Sequence, residues 1–218
     1  MAEAARLVIL VSGSGSNLQA FIDATQNGVL DAKICAVISN RAEAYGLQRA
    51  ANADIPTQVI NHRQFDSREA FDTELLACVQ HYQADLILLA GFMRILTPVF
   101  VGPLEGHLLN IHPSLLPNYP GLHTHQRALD AGDTEHGVTV HFVTQELDSG
   151  APIIQAKVPV LPDDNATTLA ERVLKQEHII YPLAANWYIE GRVRLHGGRA
   201  LLDGETLPPS GYAFNAKQ

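Results

Sequence analysis

Two side chains able to act on a carbonyl stand two residues apart in LLNIHPSLLPNYPG, residues 108–121: the amide of Asn110 and the imidazole of His112. The apolar residues around Asn110 suit a buried parallel strand, on which positions two apart face the same side. Pro113, Pro117 and Pro120 then exclude a regular helix or central strand and hold the segment after His112 as a shaped loop. An amide and an imidazole therefore project together from the carboxyl end of a strand, where open α/β sheets bind ligands. A lone histidine there reads as a satisfied core residue. The turn Glu146-Leu147-Asp148-Ser149-Gly150 argues for more, because it offers carboxylates after another strand. Asn110, His112 and Asp148, from separate strand ends, form a plausible acid/base set.

A second constellation is Ser12-Gly13-Ser14-Gly15-Ser16-Asn17, set between an apolar run and a helical pattern. Small residues let a backbone approach a ligand, and the amides of a helix N-terminus attract an anion. The loop lacks a dinucleotide fingerprint, since Leu18 takes the place of the third glycine and no acid ends the second strand, which reads Ile38-Ser39-Asn40-Arg41. The Lys-Ser/Thr of a Walker loop is absent too. A cradle for one phosphate monoester and a tight turn capped by Asn17 remain equal readings. A third stretch, Gly91-Phe92-Met93-Arg94-Ile95-Leu96, combines apolar side chains with one cation. It suits either a slot for a flat ligand with an anionic tail or a strand-exit turn packed in the core.

The elements that position these residues can be read from periodicity. Strand patterns at 7–11, 34–38, 57–60, 86–89 and 108–111 alternate with helical patterns at 18–26, 43–53 and 67–81. Repeated β–α pairs predict a mostly parallel twisted sheet with helices on both faces, Rossmann-like in type. Residues 138–143 and 152–160 read as antiparallel edge strands, one face wetter than the other, and a short helix is expected at 126–131. Asn165 caps a long helix to about residue 190, interrupted or bent at Pro182 and closed by Gly191. Residues 193–196 and 200–202 suggest a terminal hairpin. No linker or repeat divides the chain, so one domain, 1–218, is expected.

Composition narrows the classes. Of 218 residues, 46% are apolar and 17% charged, which excludes a disordered chain. A net charge of −8 argues against a nucleic-acid or anionic-membrane partner, so an anionic substrate must be held by local groups. Cys35 and Cys78 show no paired spacing and read as small buried hydrophobes in a reducing compartment. The first apolar run is five residues long, too short for a signal-peptide core or a membrane span, and a cytoplasmic protein is expected.

NIHPSLLPNYPGLHTHQRAL, HGVTVHFVTQELDSGAPIIQ and AGFMRIL closely resemble the folate-dependent phosphoribosylglycinamide formyltransferases of purine synthesis, and the resemblance runs from about Leu7 to Tyr212. It implies attack by the glycinamide amine on the formyl carbon of 10-formyltetrahydrofolate, a co-substrate. Asn110 and His112 would stabilise the tetrahedral intermediate, while Asp148 favours the charged form of His112 and relays the proton. It also implies that Gly15, Ser16 and Asn17 hold the 5′-phosphate and Glu177 the ribose hydroxyls. The folate would lie against Met93, Arg94, Ile95 and Leu96, near Asn110, with Arg68 and Arg94 by its glutamate tail. Its pterin would meet the backbone of Thr144, Gln145, Glu146, Leu147 and Asp148. One position departs from the family: a polar or basic residue near the phosphate is replaced by Leu174, and Lys175 beside it points elsewhere on a helix.

Other readings give the same residues different work. A formyltetrahydrofolate hydrolase would use the Asn-His-Asp set on water, but such relatives carry a further N-terminal domain, and Leu7 here begins the catalytic fold. Formylation of initiator methionyl-tRNA is similar chemistry, done by enzymes with an added C-terminal nucleic-acid-binding domain. A non-catalytic sugar-phosphate or folate binder needs only the loop and slot. His123 and His125 with His112 form a weak metal set, since no HExxH accompanies them, and no metal is expected. They read instead as loop-packing residues, and His141 as a supporting or solvated one. Small molecules are the expected partners, without nucleic acid or membrane; self-association is left open.

Overall fold

Leu7, Val8, Ile9, Leu10 and Val11 are each 0% exposed, and this apolar run makes β1 (Ala5–Val11) a strand buried on both faces. The structure, a computed structural model, describes residues 4–215, so residues 1–3 and 216–218 of the expected domain lie outside the described residues. The chain divides into two compact units, Met1–Leu109 and Asn110–Gln218.

In the first unit the chain runs through β1, α1 (Ser16–Gln26), β2 (Ala32–Ser39), α2 (Tyr45–Asn52) and β3 (Thr57–Val59). It continues through α3 (Arg68–His81), β4 (Leu86–Leu89) and the short α4 (Pro98–Val101), which the sequence pattern did not reveal. The strands lie in the order β4-β1-β2-β3, and β1 pairs in parallel with both β2 and β4. The chain therefore leaves β1 toward β2 and β3 and returns on its other side as β4, which makes the carboxyl end of β1 a topological switch point. α3 begins where the Ser67 hydroxyl accepts from Ala70 N at 3.0 Å.

β5 (Leu108–His112) carries the chain from the first unit into the second. There the chain runs through α5 (Thr124–Asp130), β6 (Glu135–Phe142), β7 (Pro152–Pro159) and α6 (Ala166–Ile189). The strand order is β5-β6-β7-β11, where β11 (Tyr212–Phe214) is a short strand that periodicity did not predict. β6 and β7 are antiparallel as expected, and β11 lies parallel to β7. A separate antiparallel sheet joins β8 (Val193–His196), β9 (Arg199–Leu202) and β10 (Glu205–Thr206). The whole is a mostly parallel mixed sheet with helices plus a small antiparallel sheet, the class the periodicity predicts.

Two local expectations change. The alternation in β6 predicts a wetter face, yet Thr139 and His141 are buried at 0% and 2% exposure. The Thr139 hydroxyl donates to the Ser114 carbonyl at 2.6 Å and accepts from Leu116 N and Gln155 Nε2 at 3.0 Å, so polar groups of the 113–122 loop replace water. α6 is not interrupted at Pro182. An Asn165–Thr168 capping box starts it, and a buried stripe of Leu169, Val173, Ile180, Tyr181 and Ala184 holds it in place.

Candidate active site

In the first unit the carboxyl ends of β1, β2 and β4 open into a cavity of about 230 Å³ lined by Ser12 to Asn17, Arg41 and residues 90, 91 and 93. The buried Ser12 hydroxyl donates to Asn40 Oδ1 at 2.6 Å and accepts from Met93 N at 2.8 Å, which ties the three strand ends together. α2 fixes the loop from behind. Gly46 N donates to the Gly13 carbonyl at 3.0 Å and Arg49 Nε to the Ser14 carbonyl at 2.8 Å. These carbonyls are thus drawn toward α2, and the start of α1 meets the cavity through Ser16 and Asn17, a helix N-terminus whose dipole suits an anion. Gly15 has φ +69°, and a Cβ there would lie 2.6 Å from Gly46 Cα, so both conformation and space require glycine.

The stretch after β4 combines exposure with anchoring. Met93 and Ile95 are 62% and 55% exposed, whereas Leu96 is buried. Arg68 donates to the Ile95 carbonyl at 2.7 Å, and the buried Asp72 carboxylate accepts from Thr97 N at 2.5 Å. Arg94 is half-buried, with its guanidinium 5.5 Å from the Phe71 ring centroid and its Nε lacking a hydrogen-bond partner. Two apolar side chains and a cation are thus presented on a braced turn.

In the second unit, Asn110, His112 and Asp148 do come together, with a fourth member. His112 Nδ1 lies 3.4 Å from Asp148 Oδ2, and His112 Nε2 donates to the Tyr119 carbonyl at 2.9 Å. Asp148 also accepts from Gly121 N at 2.8 Å, and its other oxygen is 3.9 Å from His141 Nε2. Asn110 Nδ2 lies 3.1 Å from His141 Nε2, and His141 Nδ1 lies 2.8 Å from the Phe142 carbonyl. Burial pushes the His141 pKa down to about 4, so the ring is neutral near pH 7. His112 is 6% exposed, while Asn110 is only half-buried and can reach a ligand. The alternation in β6 pairs His141 with Thr139, a signal that fits a solvated face equally well, and so its contact with Asn110 is not visible in the sequence.

His125 Nδ1 lies 3.1 Å from His136 Nε2, and burial holds both rings below their usual pKa, His125 to about 4. Among the described residues, no group of three or more His, Cys, Asp or Glu side chains could hold a metal ion. Glu177 is a carboxylate within the buried stripe of α6, 9% exposed, whereas Leu174 is half-buried and Lys175 exposed. Thr144 and Asp148 are partly buried and Gln145, Glu146 and Leu147 exposed on the turn after β6, where the Glu146 and Leu147 carbonyls accept hydrogen bonds from within the turn. Arg41 is the lining residue that motif and spacing did not single out, although it directly follows the Ile38-Ser39-Asn40 strand end. No described helix is long and apolar enough to cross a membrane.

Comparison with known proteins fits this geometry. The family model described as Formyl transferase matches residues 5–185. The chain is 55% identical to the phosphoribosylglycinamide formyltransferase of Escherichia coli (strain K12), over 95% of this chain and 98% of that protein. It is 51% identical to the one of Haemophilus influenzae, with 95% and 98% covered. A solved structure of the phosphoribosylglycinamide formyltransferase from Coxiella burnetii superposes with a TM-score of 0.94 at 52% identity, covering 98% of this chain and 100% of that one. The chain therefore belongs to the formyl transferase family, among the phosphoribosylglycinamide formyltransferases.

Proposed function

We propose that Asn110, His112 and Asp148 carry out the formyl transfer of purine biosynthesis that family membership assigns to this chain. Membership also implies a folate-type co-substrate. The donor is 10-formyltetrahydrofolate and the acceptor the amine of 5′-phosphoribosylglycinamide. The amine attacks the formyl carbon, and a carbon–nitrogen bond forms as the carbonyl oxygen gains negative charge. The bond to the folate nitrogen then breaks, and the amine's proton passes to that nitrogen through a water held by Asp148.

The observation that carries this reading is the Asn110–His141 contact. A neutral His141 that donates from Nδ1 to the Phe142 carbonyl must accept at Nε2, so the group facing it is the Asn110 NH₂. The second N–H of that amide is left to donate to the developing oxyanion. His112 adds a donor, with the formyl oxygen taking the place of the Tyr119 carbonyl as acceptor. Each well-aimed donor of this kind is worth about 3 kcal/mol in the transition state. Each ring nitrogen of His112 faces an oxygen, Asp148 Oδ2 at 3.4 Å and the Tyr119 carbonyl at 2.9 Å.

The phosphate is held at Gly15, Ser16 and Asn17, and the ribose hydroxyls at Glu177, a buried carboxylate of α6. The folate lies against Met93, Arg94, Ile95 and Leu96, with Arg68 and Arg94 near its glutamate tail and the Thr144 to Asp148 backbone at the pterin. Residues 1–218 act as one formyltransferase domain in the cytoplasm, on small molecules, without metal, nucleic acid or membrane. The family match runs from residue 5 to 185, across the boundary between the two units, which supports the single-domain reading.

The test mixes purified protein with 10-formyltetrahydrofolate, with and without the ribonucleotide, and tracks the formyl group. Loss that requires the ribonucleotide and yields its formylated product is expected. Formate release in its absence would make this a hydrolase, and saturable binding without turnover a binding protein.

A further inference from the structure

We infer that Arg41 anchors the phosphate of the ribonucleotide by a direct guanidinium contact, an inference that rests on the function proposed above. A phosphate monoester brought to a chain of net charge −8 meets an unfavourable overall field and needs a local cation. Among the residues that line the cavity at the switch point, Arg41 is the one with a charged side chain.

The local structure suits Arg41 to this task. It stands two residues past the end of β2, and its backbone is held on both sides by one buried hydroxyl. Ser39 Oγ donates to the Arg41 carbonyl at 2.9 Å and accepts from Arg41 N at 3.1 Å. The side chain beyond this fixed backbone is exposed, and its guanidinium makes no hydrogen bond or ion pair among the described residues. Two other arginines of the same unit, Arg49 and Arg68, are committed. Arg49 reaches the Ser14 carbonyl at 2.8 Å and Gln19 Oε1 at 3.1 Å, and Arg68 reaches the Ile95 carbonyl at 2.7 Å. Arg41 alone of these keeps its planar fork open, and that fork matches two phosphate oxygens at once. Amides at the start of α1 and the Arg41 guanidinium would then share the phosphate charge.

The test compares the ribonucleotide with its dephosphorylated riboside in wild type, Arg41→Met, Arg41→Lys and Lys175→Met. Arg41→Met is expected to raise KM for the ribonucleotide about 10- to 50-fold with kcat within about twofold, and to leave kcat/KM for the riboside unchanged. Arg41→Lys should recover part of the loss, since it keeps the charge and loses the fork. The wild-type KM should rise with salt more steeply than that of Arg41→Met. Unchanged KM in Arg41→Met, an equal loss on the riboside, or an equal effect of Lys175→Met would overturn the inference while leaving the transferase reading intact. A wild type that fails to formylate the ribonucleotide would remove both.

Discussion

Asn110 Nδ2 lies 3.1 Å from Nε2 of His141, a ring fixed in one tautomer by the Phe142 carbonyl 2.8 Å from its Nδ1. An amide held this way cannot turn its oxygen toward the reacting carbonyl, so His141 acts on the chemistry through Asn110. Replacing His141 by Phe keeps the volume and removes the acceptor. The expected result is a fall in kcat of about 10- to 100-fold, part of the loss seen when an oxyanion donor is removed outright. The Kd for 10-formyltetrahydrofolate should stay within a few-fold. An Asn110→Ala, His141→Phe double variant should be no slower than Asn110→Ala alone; additive losses would give His141 a separate role.

Asp148 joins three partners, accepting from Gly121 N at 2.8 Å and standing 3.4 Å from His112 and 3.9 Å from His141. Asn at this position keeps an oxygen for Gly121 but removes the charge that faces His112. Asp148→Asn should therefore lower kcat by about 10³-fold or more, as loss of an acid/base group does, with binding of both substrates largely kept. Weak binding with normal single-turnover chemistry would move Asp148 from the reaction to the framework.

Gly150 closes the turn that carries Asp148. A Cβ there would collide with the Phe142 carbonyl oxygen, and that oxygen is the one that fixes His141. Backbone cannot yield as a flexible side chain does, so Gly150→Ala should cost about 1–3 kcal/mol of stability, the range for overpacking. It should also lower kcat more than it raises KM. Chemical denaturation and steady-state kinetics on one preparation test both parts; a stable, fully active variant would refute the close approach.

Strands β1, β4 and β5 were legible because continuous apolar runs leave few alternatives to a buried parallel strand. The Asn110–His112 pair was legible for a related reason: alternation on a strand fixes which side chains share a side. His141 obeyed the same alternation, yet its burial depends on the 113–122 loop covering Thr139 through bonds from residues 114 and 116, contacts 23 to 25 residues apart. Periodicity within one strand carries no information about such a cover. Arg41 was missed because an arginine after a strand is ordinary until a cavity is seen beside it. β11 is three residues long and pairs with β7 more than fifty positions earlier, too short and too distant for a local pattern.

Three histidines of the second unit tie its stability to pH. Burial is the leading cause for each: His141 and His125 are lowered to about 4 and His136 is lowered as well. The His125–His136 contact at 3.1 Å needs one ring as donor and the other as acceptor, so charging both rings breaks it. In the unfolded chain each ring titrates near its ordinary value of about 6.5. Between pH 6.5 and 4 the unfolded state therefore binds more protons than the folded one, and stability falls as pH falls through that window. The loss is at most about 1.4 kcal/mol per pH unit for each histidine, and less for His125, which is only half-buried. Asp164 and Asp203 are held below the usual carboxylate range by Arg172 and Arg192, and their contribution is lost only as pH falls below about 4. Denaturant titrations at half-unit steps from pH 7.5 to 4.5 should show the midpoint dropping below pH 6.5, with a shallower slope in His125→Gln. A midpoint independent of pH across that range would mean that these rings are as free to charge in the folded protein as in the unfolded chain.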